Sequence, residues 1–139
     1  MIVLDTNVIS EPLKPRADPA VVRWLDAQDP ETLYLTSTAL SEVLIGIALL
    51  PAGKRKHGME QDMRALQTRL FGDRFLSFDR EAAVAFALLG SRAAAKGYSI
   101  SVADCQIAAI AAVHGFTVAT RDTAPFLAVG LPVINPWKV

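Results

Sequence analysis

The stretch MIVLDTN, residues 1–7, decides the fold of this 139-residue chain. Its continuous apolar run at 2–4 is typical of a strand that is buried on both faces of a parallel sheet. The polar residues Asp5, Thr6 and Asn7 follow at once. We therefore expect them at the carboxyl end of the first strand, which is the edge where open α/β sheets bind their ligands.

Strand-like and helix-like stretches alternate along the rest of the chain. Short apolar runs predict strands, and apolar residues three or four positions apart predict helices. The predicted strands cover residues 2–4, 32–36, 75–78, 116–120 and 132–134. A short helix is predicted to begin at Pro19. Further helices are predicted over 38–50, 54–72, 80–96 and 101–114, with a short helix near 125–127. This alternation predicts an α/β fold, a parallel sheet with helices on both faces, formed by one domain over residues 1–139.

The composition indicates a globular protein and excludes several other classes. Hydrophobic residues make up 52% of the chain and charged residues 20%, which excludes a disordered or low-complexity protein. The 14 Lys and Arg balance the 14 Asp and Glu, which argues against attraction of nucleic acid by bulk positive charge. The longest uncharged stretch, 105–120, is too short to span a membrane, and the amino terminus lacks the basic region of a signal peptide. We therefore expect a soluble, cytoplasmic protein.

Several well-defined catalytic motifs are missing from the sequence. There is no phosphate-binding P-loop, no Gly-rich dinucleotide fingerprint and no nucleophile elbow. Cys105 is the only cysteine, and His57 and His114 are far apart along the chain, which disfavours a disulfide and a zinc site. No second carboxylate stands two residues after Asp5, which argues against an aspartyl-phosphate phosphatase.

Four carboxylates occupy positions that this topology brings together. Asp5 and Asp122 follow two predicted strands, whereas Glu42 and Asp104 lie in the first turns of two helices with few other charges. Each alone has a structural explanation, such as a turn, a helix cap or an acid favoured by the helix dipole. Four acids at one edge of a sheet repel one another, however, and need a cation. Carboxylates without His or Cys select Mg²⁺ or Mn²⁺, so the sequence indicates metal-dependent hydrolysis of a phosphodiester.

The same residues resemble a known family, the PIN domain. The motifs that carry the resemblance, in order, are DTN at 5–7, SEV at 41–43, VADCQIAA at 102–109 and ATRDT at 119–123. The resemblance covers the whole chain and is closer to the toxin ribonucleases of type II toxin–antitoxin pairs, the VapC class. The segments NVISEP at 7–12 and NPW at 135–137 are similar to its FitB-like members in particular.

The resemblance implies a three-layer α/β/α sandwich with a mostly parallel sheet of about five strands, close to the average sheet size. It also implies one or two Mg²⁺ or Mn²⁺ ions held by four acids. These catalytic and metal-binding acids would be Asp5, Glu42, Asp104 and Asp122. Supporting hydrogen bonds would come from Thr6, Asn7 and Thr120.

The resemblance further implies a substrate and partners. The substrate would be RNA, cut endonucleolytically. The protein would form a homodimer or a dimer of dimers, with no membrane partner. A cognate antitoxin would inhibit it, and DNA would be bound only indirectly, through that antitoxin.

Basic side chains are candidates for contacts outside the four acids. Residues 54–80 hold seven Lys and Arg against four acids, and they either contact substrate phosphates or form a solvated helix face with pairs such as Glu60–Arg64. Arg121 contacts substrate or antitoxin, or it only pairs with a neighbouring acid. The candidates for contact with substrate or antitoxin are Lys54, Arg55, Lys56 and Arg121.

Two other functions remain open on the sequence. One is a catalytically weak, PIN-like dimer that acts as a binding module for an antitoxin or nucleic acid. The other is a metal-dependent phosphatase acting on small phosphate esters. The overall neutrality does not contradict nucleic-acid binding, because without the four acids 14 basic residues stand against ten acidic ones. Trp24, Trp137 and Cys105 are interpreted as packing residues, and the Ala-rich stretch 82–95 as a dimer face or as close helix–sheet packing.

Overall fold

Five parallel strands form the centre of the molecule, which a computed structural model describes over all 139 residues. The strands are β1 (Ile2–Leu4), β2 (Leu33–Thr36), β3 (Phe75–Leu76), β4 (Thr117–Ala119) and β5 (Val133–Ile134). Their order across the sheet is β3-β2-β1-β4-β5, and every pairing is parallel. The strand formed by the opening apolar run is therefore the central one, and the predicted α/β class with a five-stranded parallel sheet is confirmed.

Seven α-helices connect and flank the strands. They are α1 (Thr6–Ser10), α2 (Pro19–Asp26), α3 (Ser37–Ala48), α4 (Lys54–Ala65), α5 (Arg80–Ala95), α6 (Val102–His114) and α7 (Ala124–Ala128). Short 3-10 turns at Glu11–Leu13 and Pro30–Thr32 precede α2 and β2. No helix is both long enough and apolar enough to cross a membrane.

Two helical segments differ from the sequence-based expectation. Helix α1 was not predicted; it begins directly after β1 because the Asp5 carboxylate accepts a hydrogen bond from the Thr6 amide at 2.8 Å, and it buries Val8 and Ile9. The helix predicted over 54–72 stays α-helical only to Ala65 and continues as a π-helix over Leu66–Phe71.

The core surrounds the sheet and receives buried side chains from all seven helices. Val3, Leu4 and Val118 in adjacent strands are fully buried, as is Ile107 in α6. Burying side chains of this size stabilises a fold by roughly 1.5–3 kcal/mol each. Cys105 is buried too, with its Sγ 3.6 Å from the Phe86 carbonyl oxygen of α5, so its interpretation as a small packing residue is confirmed.

Helix α6 has well-defined ends, which fixes the position of its first turn. The Ser101 hydroxyl accepts a hydrogen bond from the Asp104 amide at 3.1 Å. At the other end, Gly115 adopts φ 69°, a left-handed conformation that glycine takes without strain. The helix therefore begins at the carboxyl edge of the sheet and leads back to the start of β4.

Candidate active site

The carboxyl ends of β1 and β4 form the crevice in which the predicted acids meet. The order of the strands reverses between these two neighbours, and open α/β sheets bind ligands at such a point. Asp5 follows β1 and donates its amide to the Ala119 carbonyl of β4 at 2.9 Å. Asp122 follows β4 three residues further along, so the two acids that come from distant parts of the sequence are neighbours in space.

Asp5 lies at the bottom of this crevice. Its side chain is buried, with 5% of the residue exposed, and accepts a hydrogen bond from the Thr120 hydroxyl at 2.7 Å in addition to the Thr6 amide. Burial raises the pKa of Asp5 to about 6, against the opposing effect of these two hydrogen bonds. The negative charges of Asp104 and Glu42 contribute smaller parts of this rise. Asp5 is thus a buried acid that is oriented by hydrogen bonds but has no cation to neutralise it.

Thr120 connects the residues around Asp5. It is fully buried, and besides donating to Asp5 its hydroxyl oxygen accepts from the Asp122 amide at 3.2 Å and from Asn7 Nδ2 at 3.4 Å. The Asn7 side chain also accepts a hydrogen bond from the Arg121 amide at 3.3 Å through Oδ1. Asn7 and Thr120 therefore hold the segment after β4 against the start of α1.

Glu42 reaches the crevice from the side of α3. Its side chain is exposed, unlike that of Asp5, and it accepts a hydrogen bond from the Thr6 hydroxyl at 2.6 Å. Thr6 thus contacts both acids, Asp5 with its amide and Glu42 with its hydroxyl. The structure brings together all three supporting residues that the family resemblance implied.

Asp104 enters from the first turn of α6 and is partly buried. Burial raises the pKa of its carboxyl, the Ser101 hydroxyl opposes this shift, and the charges of Asp122 and Glu42 add to it. The Ser101 hydroxyl caps the helix by accepting the Asp104 amide. The structural explanation of the Ser101–Asp104 segment as a helix start therefore holds in part. Asp122 is exposed and does not cap α7, whose N-cap residue is Thr123.

A pair of residues that the sequence analysis missed connects the two helices that carry Glu42 and Asp104. The hydroxyl of Thr38, one turn before Glu42, donates to Gln106 Oε1 at 2.9 Å. Gln106 stands two residues after Asp104. The sequence offered one indication of this pair, since Thr38 and Gln106 are polar residues in otherwise apolar helical stretches. It could not show that the two pair with each other, because this depends on how α3 packs against α6.

The four acids have no basic partner within the protein. The two ion pairs of the structure lie elsewhere, between Lys14 and Glu11 and between Arg64 and Glu60. Without a metal ion, no three His, Cys, Asp or Glu side chains stand close enough together to ligate one ion. The donor set is nonetheless made of carboxylate oxygens, and neighbouring negative charges contribute to the raised pKa of Asp5 and of Asp104, which suits a hard divalent cation.

The predicted basic contacts fall into two groups. Lys54, Arg55 and Lys56 begin α4 and make no hydrogen bond or ion pair with the acids; Lys56 donates instead to the Ala48 carbonyl at the end of α3, at 3.0 Å. The Glu60–Arg64 pair forms at 3.7 Å, as expected for a solvated helix face. Arg121 directly precedes Asp122 in the chain, and its guanidinium carbon is 5.3 Å from the centre of the Trp137 ring.

Comparison with known proteins shows the family to which the chain belongs. Residues 2–130 match the model of the PIN domain family. The chain is 48% identical over 138 residues to a protein of Sinorhizobium fredii named VapC ribonuclease Y4jK, and 44% identical over 137 residues to Toxin FitB of Neisseria gonorrhoeae. Each of these alignments covers 99% of both chains.

Solved structures show the same likeness in three dimensions. The chain matches a structure of FitAB bound to an IR36 DNA fragment with a TM-score of 0.95 and 45% identity, covering 100% of this chain and 97% of the other. The structure of FitAcB from Neisseria gonorrhoeae matches with the same TM-score, 44% identity and 100% coverage of both chains. The chain therefore belongs to the PIN domain family, within its VapC and FitB-like toxin group.

Proposed function

We propose that this chain is a Mg²⁺- or Mn²⁺-dependent endoribonuclease and the toxin of a type II toxin–antitoxin pair, active in the cytoplasm as one domain of residues 1–139. The observation that carries the proposal is Asp5, a buried and hydrogen-bonded carboxyl whose pKa is raised to about 6 and that has no cationic partner. Perturbed acids of this kind cluster at catalytic sites. The name of the VapC ribonuclease relative supports the same activity.

The four acids would ligate a divalent cation together. Asp5 provides the fixed ligand, because the Thr6 amide and the Thr120 hydroxyl each orient one of its oxygens. Glu42, Asp104 and Asp122 would complete the site from α3, α6 and the segment after β4. When bound, the cation would activate a water molecule and stabilise the leaving oxygen of the phosphodiester.

The residues around the acids keep this arrangement in place. The Thr6 hydroxyl orients Glu42 at 2.6 Å, and the Thr38–Gln106 bond fixes the distance between α3 and α6. Because Asp5 is buried while Glu42 and Asp122 are exposed, the crevice opens to solvent at its rim, where a phosphodiester can enter.

A cognate antitoxin and a second copy of the chain are the proposed protein partners. The chain exposes large apolar side chains in two places, Ile45 on α3 with Leu49 directly after that helix, and Val84 and Leu88 on α5. Exposed apolar surface of this kind is typical of a protein–protein interface. Structures of relatives in complex with FitA support an antitoxin, through which the toxin would be brought to DNA.

The decisive experiment combines metal removal with a ligand substitution. We expect the purified chain to cut single-stranded RNA in Mn²⁺, EDTA to abolish the cleavage, and Asp104→Asn to reduce it at least about 100-fold, because even residues that only support metal ligands contribute 10- to 100-fold. The matched control is Asp73→Asn, which removes an exposed carboxylate in the turn before β3 and should cut at the rate of the parent.

Calorimetric titration with Mn²⁺ separates this proposal from the binding-module alternative. The endoribonuclease should bind Mn²⁺, and Asp104→Asn should weaken the binding. A chain that binds no Mn²⁺ at millimolar concentration and cuts no RNA, yet binds its antitoxin, would be a binding module.

A further inference from the structure

The segments that follow β4 and β5 place a cation and an aromatic ring beside the acid site. Thr120 donates its amide to the Ile134 carbonyl at 2.9 Å. Arg121, which follows β4, and the turn at 135–137, which follows β5, therefore lie next to each other. Within that turn, Asn135 Oδ1 accepts the Trp137 amide at 3.0 Å. The ring of Trp137 packs against the hydrophobic core on one side and lies under the Arg121 guanidinium on the other.

Arg121 is held in place without being neutralised. Its amide is fixed by Asn7 and its guanidinium by the Trp137 ring at 5.3 Å, an attraction between a cation and the face of a ring. None of its side-chain N–H groups donates a hydrogen bond within the protein, and it forms no ion pair. A guanidinium has five such donors in a fixed planar fork, which matches the oxygens of a phosphate.

The nearest alternative is that Arg121 serves as a counterion for Glu11. Burial raises the pKa of Glu11, but the hydrogen bonds from Lys14 and the Asp18 amide and the Lys14 charge lower it overall, and the charge of Arg121 makes the smallest contribution to this lowering. The Glu11 carboxylate is already engaged, by Lys14 Nζ at 2.9 Å and by the Asp18 amide at 3.0 Å. Glu11 therefore does not need Arg121, and the donors of the guanidinium stay free.

We infer that Arg121, held by Trp137, is a substrate-binding residue that donates to a backbone phosphate of a single-stranded RNA lying across the four acids. The inference rests on the proposed ribonuclease function and adds a phosphate contact beside the acids. Trp137 acts through Arg121 as a positioning residue. The acids alone would repel a polyanion, and Arg121 is an exposed cation that Asn7 and Trp137 hold in the segment carrying Asp122.

The test measures RNA binding in EDTA, where no cleavage occurs, by fluorescence anisotropy of a labelled single-stranded RNA of mixed sequence. We expect Arg121→Gln to weaken binding about 10-fold at low salt, the effect of one hydrogen bond to a charged group. The slope of log affinity against log salt concentration should fall by about 0.7, the value for one phosphate contact on a single strand. Arg121→Lys should lie between, since it keeps the charge but not the planar fork.

The control is Arg23→Gln, which removes the same charge from the exposed last turn of α2, the helix that leads to the amino end of β2. It should leave the affinity and the salt slope within about twofold of the parent, because bulk charge acts weakly at this distance. Trp137→Leu should weaken binding less than Arg121→Gln, and the double variant should bind no worse than Arg121→Gln alone, because both act through one contact.

The outcomes separate this inference from the function on which it rests. If the parent cuts RNA in Mn²⁺ but Arg121→Gln binds RNA as tightly as the parent, the inference is wrong and the ribonuclease proposal stands. The same result together with weaker binding of the antitoxin would assign the guanidinium to the protein partner. A parent that neither binds nor cuts RNA overturns both.

Discussion

Two carboxylates in adjacent segments, Asp5 and Glu11, are equally shielded from solvent, although Asp5 lies deeper in the protein, and their pKa values shift in opposite directions. Each residue has only 5% of its surface exposed. Burial raises the pKa of Asp5 to about 6, whereas the pKa of Glu11 is lowered because hydrogen bonds and the charge of Lys14 outweigh its burial. Glu11 is paired, and it anchors the start of α2 by accepting the Asp18 amide. Asp5 faces other acids.

The difference teaches that burial of an acid does not by itself mark a functional site. A buried carboxylate with a cation at hydrogen-bond distance is a paired charge, and removing either partner leaves the other uncompensated. A buried carboxylate surrounded by like charges destabilises the metal-free fold, and such residues concentrate where binding or catalysis needs them. The following predictions test this distinction between the two residues.

The largest expected effect separates the two residues by activity. Asp5→Asn should reduce RNA cleavage in Mn²⁺ at least about 100-fold, because it removes the best-oriented ligand. Glu11→Gln should keep the rate within a few-fold of the parent, since Glu11 contacts no residue that touches the proposed metal. Equal losses in the two variants, measured with both proteins shown to be folded by circular dichroism, would mean that the distinction is wrong.

The second prediction concerns the stability of the metal-free protein. A carboxyl whose pKa is raised in the folded state holds its proton more tightly there, so the folded state is favoured at low pH. The shift of Asp5 from 3.8 to about 6 should therefore lower the free energy of unfolding by up to about 3 kcal/mol as the pH rises through this range. Asp5→Asn should remove this loss and be more stable than the parent at pH 8 in EDTA, as judged by urea denaturation.

The comparison of the two proteins across pH isolates the contribution of Asp5. The parent and Asp5→Asn should converge in stability below about pH 3, where Asp5 is protonated in both the folded and the unfolded state. If the difference between them does not change with pH, the ionised carboxylate is not the cause. Adding Mn²⁺ should stabilise the parent and not the variant, because the cation offsets the charge.

The third prediction gives the opposite sign for Glu11. A carboxyl whose folded pKa is lowered stabilises the protein above its unfolded value of 4.5 and loses that contribution as the pH falls through the folded value. Glu11→Gln should therefore lower the free energy of unfolding at pH 7 by about 2 kcal/mol, the effect of a hydrogen bond to a charged group. The effect should shrink in acid. Glu31→Gln, in an exposed turn, is the control that should change little.

Most of the fold could be predicted because periodicity reports burial directly. The run at 2–4 is apolar throughout since β1 is the central strand, and the apolar residues of 101–114 match the buried face of α6. Helix α1 could not be predicted in this way, because five residues are too few to show a helical period. It depends on the Asp5 cap and on the packing of Val8 and Ile9.

The candidate site could be predicted as a set of residues but not as a geometry. Asp5 and Glu42 both stand in apolar sequence, yet one is buried and the other exposed, because their exposure depends on which elements cover them. Likewise, no local pattern pairs Arg121 with Trp137 across 16 positions. Such contacts arise only when β4 and β5 lie side by side.

The smallest expected effect concerns the Thr120 hydroxyl, which opposes the effect of burial on Asp5. The Thr120 hydroxyl donates to Asp5 at 2.7 Å and lowers its pKa, against the larger effect of burial. Thr120→Val keeps the shape but removes this donor, so the pKa of Asp5 should rise further. A hydrogen bond of this kind contributes about 1 kcal/mol, so cleavage should fall about 3-fold near pH 6 and less at higher pH, where Asp5 is ionised in both proteins. Thr120→Ser retains the hydroxyl and should keep the pH profile of the parent; if both variants shift the profile equally, shape and not the hydrogen bond is what Thr120 provides.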